Sequence, residues 1–226
     1  MNDELSGKGL KSKSKSKSKS ESKSESKSEL TAEEKHKVKS QKHKDKVDAS
    51  IAKATEERGM VLVITGNGKG KSTAGFGVVT RCVGHDYKAA VAQFIKGTWD
   101  CGERNLLEKS GVPFAVMATG FTWDTQDKAS DIKAATEIWE KAKEFLADPQ
   151  YHVVLLDELT YMLGYKYLDK DDVLNAINNR PKEQTVVITG RGATKELKDI
   201  ADTISDIKDV KHAYTAGLKA RKGVDW

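Results

Sequence analysis

A short apolar run that leads directly into a glycine-rich turn constrains this chain more than any other feature. Residues 60 to 73 read Met-Val-Leu-Val-Ile-Thr-Gly-Asn-Gly-Lys-Gly-Lys-Ser-Thr. Glycines let successive backbone N–H groups point at phosphate oxygens, a lysine adds a mobile positive charge, and a serine hydroxyl at the start of a helix can bind Mg²⁺. The order of strand, turn and helix therefore predicts a phosphate-binding loop rather than a plain β-to-α turn.

This loop is one residue shorter than the usual Gly-x-x-x-x-Gly-Lys-Ser/Thr motif, because Thr65 stands where the first glycine belongs. Gly66 takes that role, and the nucleotide need not adopt the pose of a standard ATPase. While no nucleotide is bound, the Lys71 side chain is expected to face solvent. The residues predicted to bind the phosphates are Gly66, Asn67, Gly68, Lys69, Gly70, Lys71, Ser72 and Thr73.

From Met60 onward, strand-like and helix-like patterns alternate. Near-continuous apolar strands that alternate with amphipathic helices indicate a parallel sheet covered on both faces. The prediction is a three-layer α/β domain with a mostly parallel sheet, of the RecA-like phosphate-loop NTPase fold. The predicted strands are residues 60–65, 89–95, 113–118, 153–156 and 185–189, and the predicted helices are residues 73–83, 129–147, 170–179 and 195–201.

Two segments precede this domain. Residues 1–32 form a Lys/Ser/Glu-rich tail, predicted to be disordered because residues 11–29 contain no apolar side chain. Residues 33–58 are charged, with apolar residues at roughly helical intervals, which predicts a polar helix on a surface. Residues 59–226 hold 23 basic and 23 acidic residues, so only the tail could attract an anionic surface, and a purely solvated tail is the simpler interpretation.

Further candidate site residues follow later strands, where ligands bind in such sheets. Asp157 and Glu158 end an apolar strand, which is the pattern that completes a phosphate-loop site by holding Mg²⁺. Arg191 lies between two glycines and could reach an anion. Arg81 lies on the helix after the loop, where a surface arginine is the alternative interpretation.

The segment 120–126 reads Gly-Phe-Thr-Trp-Asp-Thr-Gln. Phe121 and Trp123 could line a cavity for a flat apolar ligand, or they could belong to the core, and the residues alone favour neither.

The cysteines, the histidines and the apolar runs argue against a disulfide-bonded, metal-binding or membrane-spanning protein. Cys82 and Cys101 do not form a Cys-x-x-Cys pair and are interpreted as reduced thiols rather than a disulfide, and the five histidines lack metal-ligand spacing. The chain contains no apolar run long enough for a membrane span and no apolar signal core at its N-terminus. A cytoplasmic location is expected.

Taken together, the motifs resemble the phosphate-loop ATP:corrinoid adenosyltransferase family over about residues 35 to 226. The resemblance is carried by the shortened loop at residues 65–73 and by five further segments. These segments are Gln-Phe-Ile-Lys-Gly at 93–97, Gly-Glu-Arg-Asn at 102–105, the aromatic segment at 120–126, and Leu-Asp-Glu at 156–158 with Thr-Gly-Arg-Gly at 189–192.

The resemblance implies transfer of the 5′-deoxyadenosyl group of ATP to the cobalt of a reduced corrinoid (cobalamin), with release of triphosphate, in adenosylcobalamin biosynthesis and salvage. It assigns Lys71 to the phosphates, Ser72 and Glu158 to Mg²⁺ or Mn²⁺, and Arg81 and Arg191 to the triphosphate. Asp157 is a candidate for the same metal from the strand-end pattern alone. Phe121 and Trp123 would displace the lower axial base of the corrin, leaving a four-coordinate cobalt that is easier to reduce.

The same resemblance implies a homodimer, in which the helix of residues 33–58 lies over the partner's active site as a lid. It also implies an electron donor such as a flavoprotein. Two other interpretations compete with it. One is a phosphate-loop kinase or ATPase that releases ADP; the other is a nucleotide-regulated module that binds nucleic acid through the basic tail, which the neutral domain argues against.

Overall fold

The computed structural model describes residues 31–95, 100–117 and 127–225. Within these ranges the strands are β1 (Val61–Thr65), β2 (Lys88–Gln93), β3 (Phe114–Val116), β4 (Tyr151–Asp157), β5 (Thr185–Thr189) and β6 (Thr203–Asp206). The helices are α1 (Ala32–Ile51), α2 (Lys71–Val83), α3 (Gly102–Lys109), α4 (Lys128–Ala147), α5 (Leu159–Gly164), α6 (Lys170–Asn178) and α7 (Lys195–Asp199).

The six strands form one sheet in the order β3-β2-β4-β5-β1-β6, and every neighbouring pair is parallel. The glycine-rich loop follows β1, and the two carboxylates stand at the end of β4. A single strand, β5, separates β1 from β4. All of these residues therefore meet at the carboxyl edge of the sheet, where α/β proteins bind their ligands.

Helices cover both faces of the sheet. Because side chains alternate along a strand, β4 contributes Val153 and Leu155 to one apolar cluster and Val154 and Leu156 to the other. The first cluster includes side chains of α2 and α3, and the second includes side chains of α4, α5, α6 and α7. One apolar core therefore lies on each face of the sheet, between the sheet and a layer of helices. This three-layer arrangement confirms the predicted α/β class.

All five predicted strands and four predicted domain helices are present, with ends shifted by a few residues. The sequence prediction missed β6, α3 and α5. Every residue of β6 is exposed, and Ile204 is its sole large apolar side chain, so this edge strand has no apolar run to reveal it. The six residues of α5 are too few to establish a helical period.

Helix α1 belongs to a unit that is compact by itself and ends at Thr55. Its first turn has a capping box, in which the Thr31 hydroxyl accepts a hydrogen bond from the Glu34 N–H, and the Glu34 carboxylate accepts one from the Thr31 N–H. The helix ends at Ile51, earlier than the predicted residue 58. Residues 1–30 lie outside the described part of the chain, so the disordered tail and the domain boundaries stay predictions.

Cys82 and Cys101 are both buried, and the Cys101 thiol donates a hydrogen bond of 3.3 Å to the Glu103 carboxylate, which agrees with the predicted reduced state. Among the described helices, none combines the length and the apolar composition that a membrane crossing requires.

Candidate functional site

The loop between β1 and α2 is shaped by glycines and held by the chain that follows β6. Gly66 and Gly70 adopt positive φ angles of 103° and 117°, a conformation that residues with a Cβ rarely adopt. The Gly68 N–H donates a hydrogen bond of 2.7 Å to the Ile207 carbonyl. A Cβ on Gly68 would stand 2.5 Å from the Lys208 carbonyl oxygen, so glycine is needed for this close approach.

Lys71, the first residue of α2, is buried inside the loop. Only 7% of its surface is exposed, and its Nζ donates a hydrogen bond of 2.7 Å to the Gly68 carbonyl. The expectation that it faces solvent was therefore wrong, because the loop surrounds the side chain and the Gly68 carbonyl accepts a hydrogen bond from its ammonium. Burial lowers the pKa of Lys71, and the nearby carboxylate of Glu158 acts in the opposite direction.

The other loop residues differ in exposure. Ser72 is half-buried in the first turn of α2, whereas Asn67, Lys69 and Thr73 are exposed. The Lys69 ammonium forms an ion pair of 2.7 Å with Asp225, near the C-terminus of the chain. The start of α2 carries the partial positive charge of a helix N-terminus, which favours an anion.

Asp157 and Glu158 have different surroundings although they are adjacent. Asp157 is fully buried, and its two carboxylate oxygens accept hydrogen bonds from the Thr189 hydroxyl (2.7 Å) and the Gln93 amide (3.1 Å). Glu158 is partly buried, has a φ of 62°, and interacts electrostatically with Lys71. Of these two acidic residues, Glu158 is therefore the one with exposed surface.

Arg191 follows β5 in the same region. Its charge also acts on Lys71, and its carbonyl accepts a hydrogen bond of 2.7 Å from the Thr160 hydroxyl. The preceding Gly190 has a φ of 133°, and a Cβ there would collide with the Thr160 hydroxyl and stand 3.2 Å from a Glu158 carboxylate oxygen. The strand ends thus bring Lys71, Glu158 and Arg191 together.

The structure does not bring Arg81 to this group. Arg81 is exposed in the last turn of α2, and ten residues of helix place it about 15 Å along the axis from Lys71. This placement supports a surface arginine and does not support the predicted contact with the triphosphate. Phe121 and Trp123 lie outside the described residues.

Comparison with known proteins identifies the family. A family described as "ATP:corrinoid adenosyltransferase BtuR/CobO/CobP" matches residues 57–226. The chain belongs to this family.

The alignment of this chain with similar adenosyltransferases spans almost the whole length of each of them. The chain is 56% identical over 192 residues to the corrinoid adenosyltransferase of Escherichia coli K12, covering 85% of this chain and 98% of the relative. It is 54% identical, with the same coverage, to corrinoid adenosyltransferase CobA of Salmonella typhimurium. The corrinoid adenosyltransferase of Pseudomonas aeruginosa is 46% identical over 194 residues, or 85% of this chain and 96% of the relative. The predicted family, enzyme class and adenosyl transfer from ATP to a corrinoid are confirmed.

Within this adenosyltransferase site, sequence reasoning assigned no role to Gln93 or Thr189. Gln93 is the last residue of β2 and Thr189 the last residue of β5, and both are fully buried polar side chains. A polar residue at the end of an otherwise apolar strand was the available signal. Its meaning depends on the neighbouring strand, because both side chains contact Asp157 on β4.

The oxygen ligands at the site suit Mg²⁺ rather than a softer metal. The Ser72 hydroxyl and the Glu158 carboxylate are hard oxygen donors, and Mg²⁺ is commonly bound by one or two such groups together with substrate phosphates. In the described part of the chain, no cluster of three or more His, Cys, Asp or Glu side chains could form a separate metal centre.

Proposed function

We propose that this chain catalyses adenosyl transfer at the carboxyl edge of its sheet, with release of intact triphosphate. The cobalt of the reduced corrinoid supplies an electron pair to the 5′-carbon of ATP, a cobalt–carbon bond forms, and the bond from that carbon to the triphosphate oxygen breaks. The triphosphate carries away the electron pair. Charge therefore grows on the leaving triphosphate, and the protein accelerates the reaction by stabilising that charge.

The loop and the strand ends supply this stabilisation. Lys71 exchanges its hydrogen bond with the Gly68 carbonyl for one with a phosphate oxygen, which requires only a local movement of the side chain. Arg191 adds a second positive charge close to Lys71. The N–H groups of the loop other than that of Gly68, which donates to the Ile207 carbonyl, complete the phosphate site together with the start of α2. Asn67, Lys69 and Thr73 lie at its exposed side.

Ser72 and Glu158 are proposed to hold Mg²⁺, which when bound neutralises part of the phosphate charge. The half-buried Ser72 hydroxyl lies in the first turn of α2, and the Glu158 carboxylate comes from the end of β4. The strand-end pattern predicted Asp157 as a metal residue as well, but its full burial and its two hydrogen bonds support a different role.

The corrinoid side of the reaction is proposed to depend on Phe121 and Trp123, which would displace the lower axial base and make the cobalt reducible. An electron donor such as a flavoprotein would supply the electrons. We propose a homodimer in which α1 covers the partner's site; in support, Val38, Val47 and Ile51 on α1 leave between 42% and 65% of their surfaces exposed. The proposed place of action is the cytoplasm, in adenosylcobalamin synthesis and salvage.

The observation that carries the proposal is the shortened loop with Lys71 inside it. The Lys71 ammonium interacts electrostatically with both Glu158 and Arg191. The decisive experiment supplies ATP, Mg²⁺ and chemically reduced cob(I)alamin, and quantifies every product by chromatography. We expect adenosylcobalamin and triphosphate in equal amounts. ADP as the main phosphate product would contradict the proposal and favour a kinase or ATPase.

A further inference from the structure

Three adjacent strands end in a chain of hydrogen bonds that no function has yet been assigned to. Thr189, at the end of β5, donates its hydroxyl proton to one oxygen of Asp157 at 2.7 Å. The same Thr189 oxygen accepts a hydrogen bond from the backbone N–H of Glu158 at 2.9 Å. Gln93, at the end of β2, donates its amide to the other Asp157 oxygen at 3.1 Å.

The direction of each hydrogen bond follows from the chemistry of the groups. A threonine hydroxyl has one proton, and the acceptor-only carboxylate of Asp157 takes it, so the Thr189 oxygen is left to accept from Glu158. Each member depends on the next, and Gln93, Asp157 and Thr189 are all fully buried. Removal of one hydroxyl would leave both Asp157 and the Glu158 N–H short of a partner.

Glu158 is the residue that needs this support. Its φ of 62° lies in the left-handed region, which is uncommon for a residue with a side chain and persists where the surroundings impose it. The N–H of this backbone donates the hydrogen bond that the Thr189 hydroxyl oxygen accepts. One Glu158 carboxylate oxygen lies 3.2 Å from the position that a Cβ on Gly190 would occupy, so the missing Cβ leaves room beside this carboxylate.

We propose that Gln93, Asp157 and Thr189 form a positioning relay that sets the Glu158 carboxylate for Mg²⁺, and that Asp157 is a positioning residue rather than a metal ligand. The inference rests on the proposed assignment of Glu158 to Mg²⁺. Both Asp157 oxygens already have donors in the protein, and its side chain has no exposed surface, whereas Glu158 is partly exposed. Partners of this kind typically change metal affinity by about 10- to 100-fold when they are removed.

The relay also explains why β2 ends in glutamine. The Gln93 side-chain carbonyl is buried and has no hydrogen-bond donor among the described residues, while its amide nitrogen is bonded to Asp157. An asparagine at position 157 would present an N–H to Gln93, and rotation of the Gln93 amide would then offer its carbonyl as acceptor. The substitution Asp157→Asn therefore preserves the relay in shape and in hydrogen bonds.

The test measures how strongly Mg²⁺ tightens ATP binding, by calorimetric titration of the full chain with ATP in the presence and absence of Mg²⁺ and without corrinoid. We expect Glu158→Gln and Thr189→Val each to reduce this enhancement by about 10-fold or more. Thr189→Ser, which retains the hydroxyl, and Asp157→Asn should stay within about 3-fold of the wild type. Thr185→Val is the matched control, because Thr185 begins the same strand and its hydroxyl accepts from the Met60 N–H instead.

Further outcomes separate a relay from a direct ligand. The double variant Glu158→Gln with Thr189→Val should lose no more than Glu158→Gln alone, since both substitutions act on one group. Two results would overturn the proposal. One is an Asp157→Asn variant in which Mg²⁺ tightens ATP binding as little as in Glu158→Gln. The other is a folded Thr189→Val variant in which Mg²⁺ tightens ATP binding as much as in the wild type. If Thr189→Val fails to unfold cooperatively, the comparison of Asp157→Asn with Glu158→Gln decides. A wild type that binds MgATP but forms no adenosylated corrinoid would contradict the proposed function and leave this test intact.

Discussion

Individual residues at this site are held by the protein before any nucleotide arrives. Lys71 is bonded to the Gly68 carbonyl, and Glu158 is fixed through its backbone by Thr189. A charged group that is already oriented loses little conformational freedom when it meets the leaving phosphate. The cost is desolvation, visible in the lowered pKa of Lys71.

Lys71→Met should abolish most turnover while leaving the protein folded. Methionine retains the unbranched stem that is buried in the loop but removes the positive charge, so we expect kcat/KM to fall by at least about 100-fold. Since one hydrogen bond and one buried charge are lost together, the free energy of unfolding should change by no more than about 1.5 kcal/mol. Steady-state kinetics and urea denaturation measure the two quantities. Loss of the cooperative unfolding transition would instead identify a structural lysine.

Phe121 and Trp123 are predicted to act on the corrinoid and not on ATP. Substitution of both by alanine should spare ATP binding and the reaction of cob(I)alamin, yet abolish the reaction that starts from cob(II)alamin and a weak biological reductant. Absorbance and electron spin resonance spectra of cob(II)alamin with enzyme and ATP detect the four-coordinate cobalt. Survival of this signal in the double variant would disprove the assignment. If the pair only packs the core, stability would fall by about 3–5 kcal/mol for each and all activities would fall together.

At the scale of elements, the loop and α2 function as one unit against the sheet. A Cβ on Gly75 would approach Leu155 and Thr189 at 2.9 Å, so this glycine brings α2 close to β4 and β5. Gly68 brings the loop closer still to the backbone at Lys208, whose carbonyl oxygen lies 2.5 Å from the Cβ position. Gly77, on the same helix, has open space around its Cβ position.

These glycines offer a matched pair of substitutions. Gly68→Ala should destabilise the protein by roughly 1–3 kcal/mol and weaken ATP binding, because the new methyl group meets a backbone carbonyl that cannot rotate away. Gly77→Ala should stabilise it by roughly 0.5–1 kcal/mol, the usual difference between these residues inside a helix, without changing ATP affinity. Urea denaturation and calorimetry with ATP test both. Equal effects of the two substitutions would show that the contact with Lys208 does not shape the loop.

At the scale of the whole molecule, the chain consists of a neutral catalytic body and a charged N-terminal region. The excess of positive charge lies within the first 58 residues. The chain divides into two compact units, of which the one that contains α1 ends at Thr55 and the other begins at Glu56. Every described residue of α1 is exposed. Such a helix retains an apolar seam that a second copy of the chain could cover.

Two truncations separate the tail from the helix. Deletion of residues 1–30 should leave the specific activity nearly unchanged, because Thr31 and Glu34 still form the capping box of α1. Deletion of residues 1–57 should reduce it sharply if α1 covers the partner's site. In the full-length chain, replacement of Val38 and Val47 by serine should reproduce part of that loss while keeping the helix. Equal activity of the two truncated proteins would refute the lid.

Local pattern determined the class of fold. The apolar runs of β1, β4 and β5 and the glycine-rich turn before Lys71 are contiguous in the chain, so the parallel sheet and the loop could be predicted from the sequence. Family membership could be recognised for the same reason, because its motifs are short and local. Weak signals were lost: β6 has no apolar run, and α5 is too short to show a period.

Only the tertiary structure decided how the carboxylates divide their work. Gln93 lies 64 residues from Asp157 in sequence, and Thr189 lies 32 residues from it, yet the parallel sheet brings the three strand ends side by side. The burial of Lys71 depends on how the loop folds back on itself, and the position of Arg81 depends on the rise of a helix that begins at the loop. The sequence alone determined which chemical groups the site contains, because motifs are local. The tertiary structure decided which of these groups are fully buried and which keep exposed surface, because burial and hydrogen bonding depend on residues far apart in the chain.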